Sequence, residues 1–347
     1  MFSSGGIAEL YFSKAGIDII VANELIEKRA RFYQEMYPAT RMVVGDIRDE
    51  IVKKDFLSHV GEDVKFLIAT PPCQGLSTLG INKKISQLQK DFRNYLIFDI
   101  LDVIDVRDFD YILIENVPRF LSRYFPFSGK FLTLEEILLE KYSDRYNVEV
   151  QVLNAKDYGV AQSRPRAIIK IYKKNLNWPW PKKEKEITLR EAIGHLPSLE
   201  SGEDSGIKYH VAKKHNEREI RSMRHTSSGR SAMVNDIYFP VKRNGERIKG
   251  FHNTYKRMRW DTPAPARTMN NGNIGSHNNV HPGNKLANGT YSDARVLTLR
   301  ELFIVSSLPE EWEIASNYTD SFIRHIIGEG IPPEFSYKLV KCLERKK

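Results

Sequence analysis

The residues most able to do chemistry begin with a lone thiol. Cys73 stands in Pro71-Pro72-Cys73-Gln74-Gly75-Leu76-Ser77, directly behind the apolar run Phe66-Leu67-Ile68-Ala69. The run reads as a buried strand, and two prolines must end it because proline offers no N–H to a ladder. A solitary cysteine is most often a small buried hydrophobe. A thiol just past a strand end, before a glycine-containing loop, instead has the address of a nucleophile, since open parallel sheets meet their ligands at that edge. Glu115 ends a second apolar run, Tyr111-Ile112-Leu113-Ile114. Burial at the end of such a strand favours the protonated carboxyl, which suits a general acid, and a structural salt bridge is the alternative. Arg164 and Arg166, in Gln162-Ser163-Arg164-Pro165-Arg166, supply the cations: one to pair with the acid, the other to hold a substrate oxygen.

A further set of residues suits a nucleoside. Phe2-Ser3-Ser4-Gly5-Gly6-Ile7-Ala8 reads as a glycine turn leading into a helix, which lets the backbone approach a ligand. Glu24 and Asp46 each follow an apolar run, so both fall at the same sheet edge as that turn. An acid after one strand suits ribose hydroxyls, and an acid after the next suits an amino group of adenine.

These residues need a scaffold that brings strand ends together, and the first half of the chain has that rhythm. Strands are expected at residues 17–23, 42–45, 66–70, 111–115, 148–153 and 167–172, with helices at 25–37 and 92–106. The alternation implies an α/β fold, a doubly wound, mixed but mostly parallel Rossmann-like sheet. Beyond Trp178-Pro179-Trp180-Pro181, read as a linker, periodicity gives way to loops on short strands. Order returns with a helix near residues 295–301 and a terminal helix at 335–343.

Composition narrows the class. The chain has 347 residues and a net charge of +9, long enough for two domains. Residues 173–280 hold 21 Lys and Arg against 11 Asp and Glu, so the remainder is close to neutral. A basic block of this kind is the footprint expected of phosphate binding. His210, His215, His225, His252, His277 and His281 lack metal-ligand spacing and read as polar or phosphate-facing. Two cysteines without paired spacing suggest neither a disulfide framework nor a metal site. No apolar run approaches the ~20 residues of a membrane helix, and a cytoplasmic protein is expected.

Taken in order, these pieces resemble the DNA cytosine-5 methyltransferases of bacterial restriction-modification systems almost end to end. Pro71-Pro72-Cys73-Gln74, Glu115-Asn116-Val117 and the Gln162 to Arg166 pentapeptide look like the nucleophile, general-acid and arginine motifs. The resemblance implies catalytic roles for Cys73 as nucleophile and Glu115 as general acid, with Arg164 anchoring Glu115 and Arg166 holding the base oxygen. It also implies an S-adenosylmethionine pocket formed by Phe2, Ser3, Gly5, Gly6, Ile7, Glu24, Leu25, Asp46, Ile47, Pro72, Leu96, Glu329 and Ile331. Ser4 and Ile7 stand where the family commonly has glycine, and Glu329 where it commonly has asparagine. By the same likeness residues 1–172 form a catalytic domain, 173–280 a smaller, loop-rich target-recognition domain and 281–347 a return to the catalytic domain. Double-stranded DNA is the implied substrate, with S-adenosylhomocysteine as coproduct and a cognate restriction endonuclease as a companion. An RNA cytosine-5 methyltransferase and a non-catalytic DNA-binding relative are the alternative readings.

Overall fold

The computed structural model describes residues 1–72 and 92–344. They form two compact units: Met1–Asn154, Pro165–Pro181 and Tyr337–Lys347 in the first, Ala155–Arg164 and Lys182–Ser336 in the second.

In the first unit β1 (Val21–Glu24), α1 (Glu27–Met36), β2 (Arg41–Val44), α2 (Glu50–Ser58) and β3 (Phe66–Ala69) follow the expected alternation. Asp49 caps α2 by accepting from the N–H groups of Ile51 and Val52. A 3₁₀ turn, Phe92–Tyr95, replaces the start of the expected second helix, so α3 is Ile97–Val106. Its buried residues Ile97, Ile100, Leu101, Val103 and Ile104 recur at helical spacing and face the core. β4 (Tyr111–Asn116) is buried at every residue. A hairpin, β5 (Tyr124–Phe127) with β6 (Lys130–Thr133), and α4 (Leu134–Tyr142) come next. Ser128-Gly129, both at positive φ, mark the hairpin turn, and the reciprocal capping of Thr133 and Glu136 marks the helix start. The chain then forms β7 (Tyr146–Asn154), the short β8 (Gln162–Ser163) of the second unit, and β9 (Pro165–Lys173).

The main sheet has the order β3-β4-β9-β7, and β1-β2 form a pair of their own. Among the described residues of this unit only β1–β2 and β3–β4 are parallel; β4–β9, β9–β7 and the hairpin are antiparallel. The sheet is therefore mixed rather than mostly parallel. The short return from β7 to β9 allows an antiparallel ladder, whereas a parallel crossover needs a dozen or more residues. One consequence reaches the chemistry: the first residues of β9 lie beside the last residues of β4, with Asn116 opposite Ala167 and Glu115 opposite Ile168.

The structure corrects two other expectations. Residues after the glycine turn make successive turns, with bonds from Phe12 N–H to Glu9 and from Lys14 N–H to Tyr11, rather than an α-helix. Two adjacent glycines are poor helix formers. The Trp-Pro stretch is no free linker, because Trp178 is 1% exposed and packs edge-on against Phe66, Tyr111 and Tyr172. Its indole N–H donates to the carbonyl of Leu339.

The second unit contains α5 (Leu189–Ile193), α6 (Glu217–Arg224), β10 (Ala264–Pro265) paired parallel with β8, α7 (Leu299–Val305), α8 (Asp320–Glu329) and the start of α9 (Pro333–Val340). A small apolar core gathers Ile220, Met223, Ile274, Val280 and Val296. Beside it Arg295, fully buried, pairs with Asp293 at 2.8 Å and Glu301 at 2.7 Å. His281 lies between the same two acids, and His210 bonds Thr298 Oγ1 and the carbonyl of Pro197. These two histidines are interior residues, not phosphate-facing ones. Arg257 and Arg267 are likewise buried, their pKa values pushed down to about 10 by desolvation, so part of the basic excess is internal. Among the described residues no helix is long and apolar enough to cross a membrane.

Candidate active site

The carboxyl ends of β1 and β3 are drawn together by hydrogen bonds around the glycine turn. Thr70 donates from its N–H to Met1 O and from Oγ1 to Phe2 O, and Ser3 N–H donates to Asn23 O. Ser4 sits at φ +46°, and its N–H donates to Glu24 at 2.9 Å. Glu24, itself buried, also accepts from Ile26 N–H at 2.8 Å. Its carboxylate therefore fixes the turn. Gly6 has φ +72°, and a Cβ there would stand 2.3 Å from the Tyr37 ring, so a side chain is excluded twice over. Gly5 and Ile7 are buried in the same turn.

Asp46 is engaged by Arg48, whose Nε lies 3.0 and 3.1 Å from the two carboxylate oxygens. Those hydrogen bonds hold the Asp46 pKa below the usual carboxylate value. The Arg48 guanidinium stacks 3.8 Å from the centroid of Phe92. Leu25 and Phe92 are 59% and 49% exposed, an apolar margin beside the two acids, while Ile47 and Leu96 are buried and Pro72 half-buried. Sequence reasoning misses Arg48. Its signal is the spacing of two residues from Asp46, which lets both carboxylate oxygens meet one guanidinium.

Glu115 is 8% exposed, and Arg166 Nε stands 2.7 Å from its Oε1. The antiparallel register of β9 puts this arginine at the acid. Asn116 Nδ2 donates to Pro71 O at 3.1 Å, tying the end of β4 to the segment that leads into Cys73. Cys73 itself lies outside the described residues.

Arg164 does different work. Its guanidinium donates to the carbonyls of Arg267, Gly328 and Glu329 inside the second unit. The acid's anchor is thus Arg166, which corrects the expectation that Arg164 anchors Glu115 and Arg166 holds the base oxygen; the antiparallel ladder brings Arg166, not Arg164, to the acid. Gln162 helps the clamp by accepting from Arg267 N–H at 3.0 Å. A Cβ on Gly328 would lie 2.2 Å from Thr268 O, which explains a glycine there. Glu329 stands 3.5 Å from His325, and Ile331 is buried. Among the described residues no group of His, Cys, Asp or Glu is placed to hold a metal ion.

The model of the C-5 cytosine-specific DNA methylase family matches residues 1–345. The chain belongs to that family. It is an S-adenosylmethionine-dependent DNA (cytosine-5)-methyltransferase. The methylase is 47% identical over 334 residues to the type II methyltransferase M1.HgaI of Avibacterium volantium, covering 96% of this chain and 94% of that one. It is 28% identical to the type II methyltransferase M1.HphI of Haemophilus parahaemolyticus, over 99% of this chain and 85% of the other. Among solved structures, a DNA modification methyltransferase encoded within an E. coli prophage superposes with a TM-score of 0.70 at 18% identity, covering 98% and 96% of the two chains. A Spodoptera frugiperda DNMT2 variant gives 0.62 at 16% identity, covering 98% and 97%. At such identities the two structures speak to the fold alone, an α/β fold with a mixed sheet.

Proposed function

We propose that this methylase transfers a methyl group to C5 of a cytosine turned out of duplex DNA, within a particular base sequence, through a covalent bond between Cys73 and C6. The observation that carries the reading is the ion pair of Glu115 and Arg166 at the end of β4, one residue before the amide that holds Pro71. A carboxyl fixed by a guanidinium at a strand end, next to the segment bearing a thiol, suits attack on an electron-poor ring.

C5 of cytosine is a weak nucleophile, and addition of the Cys73 thiolate at C6 makes it electron-rich. Acting in its protonated form, with Arg166 donating to the carboxyl, Glu115 gives a proton or hydrogen bond to N3, which takes up the charge developing in the ring. Arg166 holds Glu115 in place for that step. Once C5 carries the methyl group, water takes the C5 proton, Cys73 leaves as thiolate and N3 returns its proton to Glu115, which restores the aromatic ring. Turning the base out costs a few kcal/mol, because the ring is unreachable in the stack.

S-adenosylmethionine supplies the electrophilic methyl group. The residues of the first unit suit it: the main chain from Phe2 to Ile7 follows a turn in which Gly6 leaves no room for a side chain, and Leu25 and Phe92 are exposed beside Glu24 and Asp46. Glu24 would take the ribose hydroxyls, Asp46 the adenine amino group, and Leu25, Ile47, Pro72 and Leu96 the ring and its surroundings. Residues 173–280 would supply phosphate contacts through their exposed lysines and arginines and read the target through their loops.

The test is covalent trapping. Duplex DNA with 5-fluorocytosine at the methylated position should form a denaturation-resistant adduct with the wild type and none with Cys73→Ser. An equally abundant adduct with the serine variant removes Cys73 from the mechanism.

A further inference from the structure

We propose that the β5–β6 hairpin of the first unit is a contact surface for the DNA backbone, laid along the duplex that flanks the target base. The inference rests on the reading of this methylase as a DNA-binding enzyme, and it names a place outside residues 173–280 where the duplex touches the chain. The hairpin has two dissimilar faces. Phe125 is fully buried and meets Tyr95, Phe98 and Phe120 edge-on, at centroid distances of 6.2, 5.9 and 5.6 Å. Phe127 and Leu132 pack on the same core. Side chains alternate along a strand, so Tyr124, Pro126 and Phe131 share the opposite face, with Pro126 opposite Phe131 in the ladder. Tyr124 is 62% exposed and Phe131 74%. The inner face holds the hairpin down without either ring.

The charge on this segment has one sign. Residues 117–134 contain Arg119, Arg123 and Lys130 and no aspartate or glutamate. Arg119 and Lys130 are exposed. The Arg123 guanidinium lies 5.3 and 5.5 Å from the ring centroids of Tyr95 and Phe125, and its Nε has no hydrogen-bond partner among the described residues. The acids nearest in the chain are engaged or at the hairpin base: Glu115 meets Arg166, Glu136 turns back onto Thr133, and Glu135 stands beside it at the start of α4. A second copy of the chain docked on this face would set these cations against their own counterparts, whereas a polyanion neutralises them. Exposed rings interleaved with cations also match a backbone of apolar sugars and charged phosphates.

The hairpin also stands close to where the base must enter. Only the turn Pro118–Phe120 and a few residues after it join the hairpin to the end of β4, so Arg119 lies within ~11 Å of Asn116, the residue that holds Pro71. Each four-residue strand extends ~13 Å, the rise of about four base pairs. With a cytosine at Glu115, Arg119 takes a phosphate near the target and Lys130 one towards the hairpin tip, while Tyr124 and Phe131 pack on the sugars between them.

The experiment titrates the full chain with a duplex of about 30 base pairs, centred on the methylated cytosine mapped by bisulfite sequencing, over a salt series. Arg119→Gln and Lys130→Gln should each make log K against log salt shallower by ~0.9. Phe131→Ser should weaken binding by about fivefold or more at every salt concentration and leave the slope as it is. All three side chains are exposed, and melting temperatures close to wild type show that the variants are folded. Wild-type slopes and affinities in all three variants, on a duplex that the wild type binds and methylates, overturn this proposal and leave the methylase reading intact. A wild type that neither binds nor methylates the duplex overturns that reading, and this one with it. Sedimentation of the DNA-free chain that shifts from dimer to monomer on Phe131→Ser assigns the face to a second copy instead.

Discussion

Replacing Glu115 by glutamine separates a chemical role from a structural one. The side chains of Glu115 and Arg166 are 11% and 14% exposed and meet at 2.7 Å. At an effective dielectric near 20, unit charges about 4 Å apart attract by ~4 kcal/mol, part of which offsets desolvation of the two groups. Glutamine keeps the shape and removes the charge, leaving the guanidinium without its counter-ion, so Glu115→Gln should lower stability by roughly 2–3 kcal/mol. If Glu115 also serves the ring, single-turnover methylation at saturating DNA and methyl donor should fall by ~10²–10⁴-fold, the usual scale for a lost acid catalyst. The double variant Glu115→Gln/Arg166→Met removes the stranded charge and should recover stability to within about 1 kcal/mol of wild type. Its rate should stay low. Urea unfolding and single-turnover kinetics on the three proteins give the comparison. A rate that recovers together with stability, or near wild-type turnover in the single variant, refutes the catalytic assignment and leaves a salt bridge.

Three other outcomes are expected. Ser4→Gly relieves a left-handed backbone at φ +46° while keeping the N–H bond to Glu24, and should raise stability by ~0.5–1 kcal/mol in chemical denaturation; a loss would mean the serine side chain matters more than its backbone. His281 is held neutral by burial, its pKa lowered to about 4 from 6.5. Between those values the unfolded chain binds the extra proton, so stability should decline as pH falls from 6.5 towards 4, by up to about 3 kcal/mol from this group. A urea midpoint that is flat down to pH 5 contradicts it. Lys242, Arg243 and Lys249 are exposed, whereas Arg257 and Arg267 are buried. Neutralising any of the first three that meets phosphate should make log K against log salt shallower by ~0.9 with the fold intact, while Arg257→Met should act on stability instead; binding titrations over a salt series distinguish the two.

Features that depend on near neighbours are legible in the sequence by itself. Strand ends at Pro71-Pro72 and at Glu115, the glycine at position 6 and the order of the motifs follow from local chemistry, and so does the α/β rhythm of the first half. The capping pairs Thr133 with Glu136 and Thr298 with Glu301 are equally local signals of helix starts, though the segments around them are short. Pairings across the chain needed the tertiary structure. Arg166 rather than Arg164 meets Glu115 because β9 runs antiparallel to β4, and strand direction is set by which edges bury apolar surface together. The guanidinium of Arg48 lies between Asp46 and Phe92 because two segments converge at one sheet edge. Arg257, Arg267, His210 and His281 look like surface residues in a basic, polar stretch. Only the fold places them inside, where main-chain carbonyls, hydroxyls and buried carboxylates replace the water each would otherwise need.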